Sequence, residues 1–270
     1  MKVFVLDISK CEGCYCCQIA CKDEHCGNDW TPYAKPQPEI GQFWLKVNQL
    51  VRGSKPKIKL TYIPVMCMHC ANAPCIEACP TEGAIYTRED GLVIIDPAKC
   101  SGCRQCISAC PYGVIYFNSP YNIAQKCTGC AHLLDRGWPI TEPRCANSCG
   151  TTALLFGEES GFSAEIAQSE RLSPNFGDTP NTRAYYLNLP KKFIAGSVYD
   201  STKDEIIEGA TCTLSGDSNA TTTTDYFGDF WFEGLGVGTY TVKVEAGGKS
   251  VTKTDISTEK DVNLGDIDLA

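Results

Sequence analysis

Sixteen of the nineteen cysteines in this chain fall into four runs with nearly the same internal spacing. The runs are Cys11, Cys14, Cys17, Cys21; Cys67, Cys70, Cys75, Cys79; Cys100, Cys103, Cys106, Cys110; and Cys127, Cys130, Cys145, Cys149. Two-residue gaps turn the chain tightly enough for three thiolates to meet three corners of one 4Fe-4S cube, and the turn aims intervening N–H groups at the sulfides. The fourth cysteine lies about one helical turn further on and reaches a neighbouring cube. Pro80 and Pro111 then stop the two inner runs, because proline has no N–H with which to continue a helix.

The third run keeps this spacing unchanged and reads like a bacterial ferredoxin run. The second has two extra residues before its third cysteine, the fourth replaces that gap with fourteen residues, and the first carries Lys22 where the proline is expected. The crossover rule places Cys67, Cys70 and Cys75 on one cube with Cys110, and Cys100, Cys103 and Cys106 on another with Cys79. If the outer runs nest around the inner ones, Cys11, Cys14 and Cys17 share a cube with Cys149, and Cys127, Cys130 and Cys145 share one with Cys21. The count is four clusters, or three where one set goes unfilled. Paired Cys-x-x-Cys also suits zinc, but a tetrahedral site would leave the third cysteine of each run idle. Cys16 and Cys26 fall outside the register and read as spare thiols. All four thiolates of each set are already supplied, so His25, His69 and His132 read as hydrogen-bonding or surface histidines rather than ligands.

Short elements must hold these runs. Val3 to Ile8 is an apolar strand leading into Cys11. Ala84 to Arg88 and Leu92 to Ile95 flank Asp90-Gly91 and read as a hairpin covering the inner pair. Gly113-Val114-Ile115-Tyr116 repeats Gly83-Ala84-Ile85-Tyr86, the mark of an internal duplication. Residues 27–66 form an insertion without cysteine: an aromatic, proline-rich loop from Trp30 to Pro38, then strands from Phe43 to Val47 and Lys57 to Ile63. Lys46, Arg52, Lys55, Lys57 and Lys59 make it basic, as either a solvated hairpin or a docking surface for an acidic partner. Thr151 to Phe156 reads as a strand, Phe162 to Glu170 as a short helix, and 174–190 as an extended strap. The boundary falls near Lys192, dividing the chain into 1–192 and 193–270.

Beyond it the apolar pattern changes to period two. Seven candidate strands (Ile194 to Tyr199, Ala210 to Leu214, Thr221 to Thr224, Phe230 to Phe232, Tyr240 to Glu245, Ser250 to Thr254, Asp261 to Leu264) imply an all-β sandwich or barrel. Cys212 alternates inward with Ala210 and Leu214. Phe227, Phe230, Trp231 and Phe232 read as core with one ring left exposed, in preference to a binding patch. The whole is an α+β chain: a duplicated ferredoxin-like polycluster domain followed by a β-sandwich.

The net charge is -8, and residues 191–270 hold 7 Lys+Arg against 14 Asp+Glu, so the acidity sits in the tail. With no basic block, nucleic acid is not an expected partner. No apolar run approaches the ~20 residues a membrane span needs. Met1 to Asp7 lacks a signal-peptide apolar core, so cytoplasmic, reduced thiols devoted to metal are expected.

Cys17-Gln18-Ile19-Ala20-Cys21-Lys22-Asp23-Glu24, Cys67-Met68-His69-Cys70 and Cys106-Ile107-Ser108-Ala109-Cys110-Pro111-Tyr112-Gly113 resemble the iron-sulfur subunits of the dimethyl-sulfoxide-reductase family of molybdenum enzymes, over about residues 1–190. Gly209-Ala210 and Thr224-Asp225-Tyr226-Phe227-Gly228-Asp229-Phe230 resemble carboxypeptidase-regulatory or transthyretin-like domains. The first resemblance implies electron transfer through 4Fe-4S clusters to a large partner subunit that carries a bis-molybdopterin guanine dinucleotide molybdenum site. The enzyme is then a heterodimer of anaerobic metabolism, and no catalytic residue is expected on this chain. A respiratory oxidoreductase subunit and a structural zinc protein using its sandwich for binding are the alternatives.

Overall fold

The computed structural model describes every residue except 138–140, 177 and 179. Part of the long gap between Cys130 and Cys145, and part of the expected strap, therefore lie outside the described residues. The chain divides into two compact units, one of residues 1–49 and 62–189, the other of residues 50–61 and 190–270.

The first unit is built on β1 (Lys2–Asp7), whose interior is apolar at every position from Val3 to Leu6. Such a run needs cover on both faces. Phe4 and Leu6 enter the main core, while Val3 and Val5 pack with Tyr185 on the other side. Next come α1 (Cys16–His25), β2 (Leu45–Ser54), β3 (Lys57–Met66) and α2 (Pro74–Glu77). The hairpin β4 (Ile85–Thr87) and β5 (Val93–Ile95) follows, then α3 (Gln105–Ala109), and then a second hairpin, β6 (Tyr116–Asn118) and β7 (Ile123–Gln125). α4 (Ala131–Asp135), α5 (Arg144–Asn147), β8 (Leu154–Glu158), α6 (Ser163–Gln168) and β9 (Ala184–Leu187) complete the unit. β1 is the centre of a three-stranded sheet, antiparallel to β8 and parallel to β9. The chain's first strand is thus paired with the strands that follow the last cysteine run.

The described residues between 174 and 190 are pinned over the second and third runs. Asn175 N–H donates to Pro111 O (2.7 Å), Ala71 N–H to Asn181 O (2.6 Å), and Arg183 N–H to Met68 O (2.9 Å). Arg183 also donates through its guanidinium to His69 O at 2.9 Å, and buried Tyr186 donates to Pro64 O at 2.9 Å.

Residues 190–270 carry eight strands, not the seven of the sequence reading: β10 (Lys192–Asp200), β11 (Glu205–Ile206), β12 (Thr211–Gly216), β13 (Ala220–Thr223), β14 (Asp229–Leu235), β15 (Thr239–Ala246), β16 (Lys249–Ser257) and β17 (Val262–Asp268). The extra one, β11, is two residues long and has no apolar alternation to announce it. β10 pairs with β11, β14 and β17 in one sheet, and the order β13-β12-β15-β16 makes the other. Ile194, Val198, Phe230, Phe232 and Ile267 form a core with Cys212, Leu214, Tyr240, Val242 and Val244 from the other sheet. Inward residues recur at every second position, as a pleated strand requires. Phe227 is exposed beside Tyr226, and Trp231 is half-buried against Phe193.

The basic insertion departs from both of its readings. Its tip, residues 50–61, belongs to the second unit, and its cations are paired there. Arg52 bonds Asp261 at 3.0 Å, Lys57 pairs with Asp229, and Lys59 with Glu233. Asp261 also accepts from Phe193 N–H at 3.0 Å. The acidic partner is the chain's own tail, invisible to a reading that weighs each segment alone. Lys46 and Lys55 stay exposed.

The Arg52–Asp261 pair is largely shielded, with side chains 13% and 6% exposed. Arg52→Met is expected to cost about 2 kcal/mol, the worth of a charge-assisted hydrogen bond. Asp261→Asn should cost a similar amount and the double variant little more than either, as read from denaturant midpoints in a double-mutant cycle.

Candidate metal-cluster site

None of the nineteen cysteines, all of which are among the described residues, forms a disulfide. The four runs share one backbone device. The residue before the second cysteine is left-handed in every run: Gly13 (φ 68°), His69 (φ 44°), Gly102 (φ 73°) and Gly129 (φ 63°). Three of the short helices begin from a further left-handed residue, Tyr15 before α1, Arg104 before α3 and Cys130 before α4. Such conformations turn successive N–H groups toward one point and make a concavity for anions. His69 N–H lies 3.4 Å from Cys67 Sγ and Gly129 N–H 3.4 Å from Cys127 Sγ, while Ala124 N–H lies 3.5 Å from Cys100 Sγ.

These turns draw together thiols from distant runs. Cys67, Cys70, Cys75 and Cys110 line one cavity, closed by Met68, Val93, Tyr112, Val114 and Ile115. Cys106 neighbours Cys100, Cys103 and Cys79; burial first and then their repulsion push its thiol up to about 11. Cys17 sits with Cys11, Cys149 and Cys14, and burial followed by these neighbours raises it to about 12. Cys145 is held well above its ordinary range by burial and then by Cys130, Cys21 and Cys127.

The four groups also neighbour one another in series. Cys17 of the first group influences Cys21 and Cys145 of the second; Cys67 influences Cys127; and Cys106 influences Cys75. The series runs from the group of Cys11 to that of Cys21, then Cys67, then Cys100. Its ends reach the surface, where Cys14 and Cys103 are exposed, while every thiol of the second group is buried.

Buried polar atoms fit a sulfur-rich cluster in these places. The Tyr112 hydroxyl, in the wall of the cavity, has no hydrogen-bond partner among the described residues, and neither has Thr128 Oγ1 beside Cys127. His69 is fully buried; its Nδ1 accepts from Val93 N–H at 2.9 Å, so Nε2 carries the proton, and that atom too is unpartnered among the described residues. No three His, Cys, Asp or Glu side chains among the described residues converge on a single ion.

The three histidines are interior hydrogen-bonding groups rather than surface ones. His25 Nε2 lies 3.8 Å from Cys130 Sγ, and burial, then His132, lowers its pKa to about 3, so the imidazole beside that sulfur is neutral. His132 stacks on Trp30 and bonds Glu24 at 3.0 Å, and Glu24 pairs with Arg144 at 3.3 Å. Cys16 is exposed, Cys26 half-buried, and Cys212 lies in the sandwich core.

Sequence reasoning missed Lys126. It is 2% exposed, and its Nζ donates to Val93 O and, at 3.1 Å, to Cys127 O. Burial works to lower its pKa, but the facing thiols of Cys67, Cys75 and Cys127 outweigh it and the net shift is upward. Its only signal in the sequence is a lysine at the end of an apolar strand, directly before a ligand-register cysteine.

The profile of the 4Fe-4S dicluster domain matches residues 58–159, which hold the second, third and fourth runs, and that of the carboxypeptidase regulatory-like domain matches residues 194–270. The pyrogallol hydroxytransferase small subunit of Pelobacter acidigallici is 39% identical over 98% of this chain and 98% of its own length. The chain belongs to the iron-sulfur subunits of the dimethyl-sulfoxide-reductase family of molybdoenzymes. A Halobacterium salinarum protein assigned as the iron-sulfur subunit of a dimethyl sulfoxide reductase is 33% identical over 68% of this chain and 78% of its own. The arsenate respiratory reductase iron-sulfur subunit of a Shewanella species is 29% identical over 68% and 94%. This iron-sulfur subunit thus carries 4Fe-4S clusters, which sets the zinc alternative aside.

A methyl group at Gly129 would sit 2.8 Å from Leu92 Cδ1 on a left-handed residue. Gly129→Ala is therefore expected to cost about 1–3 kcal/mol through overpacking and strain. Iron and acid-labile sulfide per chain should fall by about one cube.

Proposed function

We propose that this chain is the electron-carrying subunit of a pyrogallol hydroxytransferase, in which a large partner subunit isomerises pyrogallol to phloroglucinol at a molybdenum bis-molybdopterin guanine dinucleotide centre. The carrying observation is the match to the hydroxytransferase small subunit along the whole of both chains, sandwich included. The reductase subunits match over about two thirds of this chain. The enzyme would be a cytoplasmic heterodimer; no helix among the described residues is long and apolar enough to cross a membrane.

In this reading four cubes are held by Cys11, Cys14, Cys17 and Cys149; by Cys21, Cys127, Cys130 and Cys145; by Cys67, Cys70, Cys75 and Cys110; and by Cys79, Cys100, Cys103 and Cys106. Bound clusters supply one-electron storage. The chain's own groups do the rest: thiolates grip iron, N–H groups of the left-handed turns donate to sulfur, and apolar walls exclude water, which together set potentials. The two exposed end groups serve as entry and exit. Pyrogallol and phloroglucinol are isomers, so their interconversion consumes no net electrons. The relay then adjusts the molybdenum oxidation state rather than turning over with each substrate.

The heterodimer, purified without oxygen, should contain about 16 iron atoms per small subunit. It should also contain molybdenum and form phloroglucinol from pyrogallol. Quinol-linked reduction of a sulfoxide or arsenate, with no phloroglucinol formed, would give the protein to the respiratory alternative instead. The crossover has its own test. Cys110→Ala should abolish the EPR signal of the cube gripped by the second run and leave that of the third run; loss of the third-run signal instead would mean that each run closes on itself.

A further inference from the structure

Lys126 is a charge buried where charge is costly. Its ammonium is 2% exposed, is bonded to two carbonyls and faces the thiols of Cys67, Cys75 and Cys127. No carboxylate among the described residues balances it. An isolated ammonium in such surroundings is strongly disfavoured, and a buried ion persists where an opposite charge compensates it. The groups that face it are cysteine sulfurs, which become anionic when they bind iron, and they belong to two different groups: Cys67 and Cys75 to the one that includes Cys110, and Cys127 to the one that includes Cys21.

We propose that Lys126 is the counter-ion shared by the clusters of the Cys67 and Cys21 groups, a positioning residue that holds their reduced states at higher potential than their dry setting would allow. This rests on the ligand sets of the preceding section. When a cube accepts one electron from an outside donor, its charge becomes more negative by one and no bond forms or breaks. A fixed cation beside it favours that state. Low polarity around a cluster acts in the opposite direction, disfavouring added negative charge. The innermost groups are the driest and would otherwise be the hardest to reduce, interrupting a relay whose ends are wet. Val93 O and Cys127 O hold the ammonium in place, so the compensation is ready before the electron arrives.

The test is an EPR-monitored reductive titration with dithionite of the full chain with its catalytic subunit, as native protein, Lys126→Met and Lys126→Arg. In Lys126→Met, two of the four midpoints should fall by at least tenfold in the reduction equilibrium, ~59 mV for one electron. The other two should stay, and Lys126→Arg should leave all four near their native values. Loss of iron in Lys126→Met but not in Lys126→Arg would support the same proposal, since charge and not bulk would then be what the clusters require. Unmoved midpoints in a fully loaded Lys126→Met protein overturn it, as does equal iron loss in both variants, which would make the side chain a packing element. Native protein lacking four clusters would instead overturn the ligand assignment itself.

Discussion

Negative charge in a dry interior is the difficulty that the first unit is built to handle. Thiols packed in fours away from water resist ionisation, by burial first and then by mutual repulsion, as the elevated Cys17, Cys70 and Cys75 show. They become good thiolates when iron meets them, so cluster binding and the integrity of the fold are one equilibrium. The protein's own contribution is a set of small positive ends, the N–H groups turned inward by left-handed residues and the Lys126 ammonium. The helices are short because each needs only to end a turn and present one cysteine. Most of the apolar core is wall around the thiol groups rather than a separate hydrophobic body.

Connectivity follows from the same constraint. Each group gathers three thiols from one run and one from another, so a cluster held in the proposed way would tie together residues as far apart as Cys11 and Cys149. Pairing of β1 with β8 and β9 brings the corresponding chain ends together without metal. The strand sheet and the clusters thus enforce one topology twice, which is how a unit with little regular secondary structure attains a single arrangement.

The second unit solves a different problem. Its two sheets bury a conventional apolar core, and its surface carries the excess of acid. The insertion between the first and second runs supplies Arg52, Lys57 and Lys59 to Asp261, Asp229 and Glu233. The tip of a segment that interrupts the cysteine runs in sequence is therefore also part of the second unit. Three of the acidic charges that look unbalanced in the tail are met within the chain.

The metal chemistry was legible from sequence because ligand spacing is local: the reach of a tight turn decides which thiols meet one cube, and a few consecutive residues encode it. The central strand, the β4–β5 hairpin and the alternating strands of the sandwich were legible for the same reason, since their periodicities are written in neighbouring residues. Other features depended on segments far apart in the chain. The sequence showed a basic insertion and an acidic tail, but only the folded chain paired them. It showed Lys126 as one more lysine, and only burial against Cys67, Cys75 and Cys127 made it a cation without a carboxylate. It left His25, His69 and His132 as ordinary histidines, and tertiary packing placed all three inside. Short-range geometry is recorded along the chain, whereas desolvation and electrostatic partnership exist only once distant residues have come together.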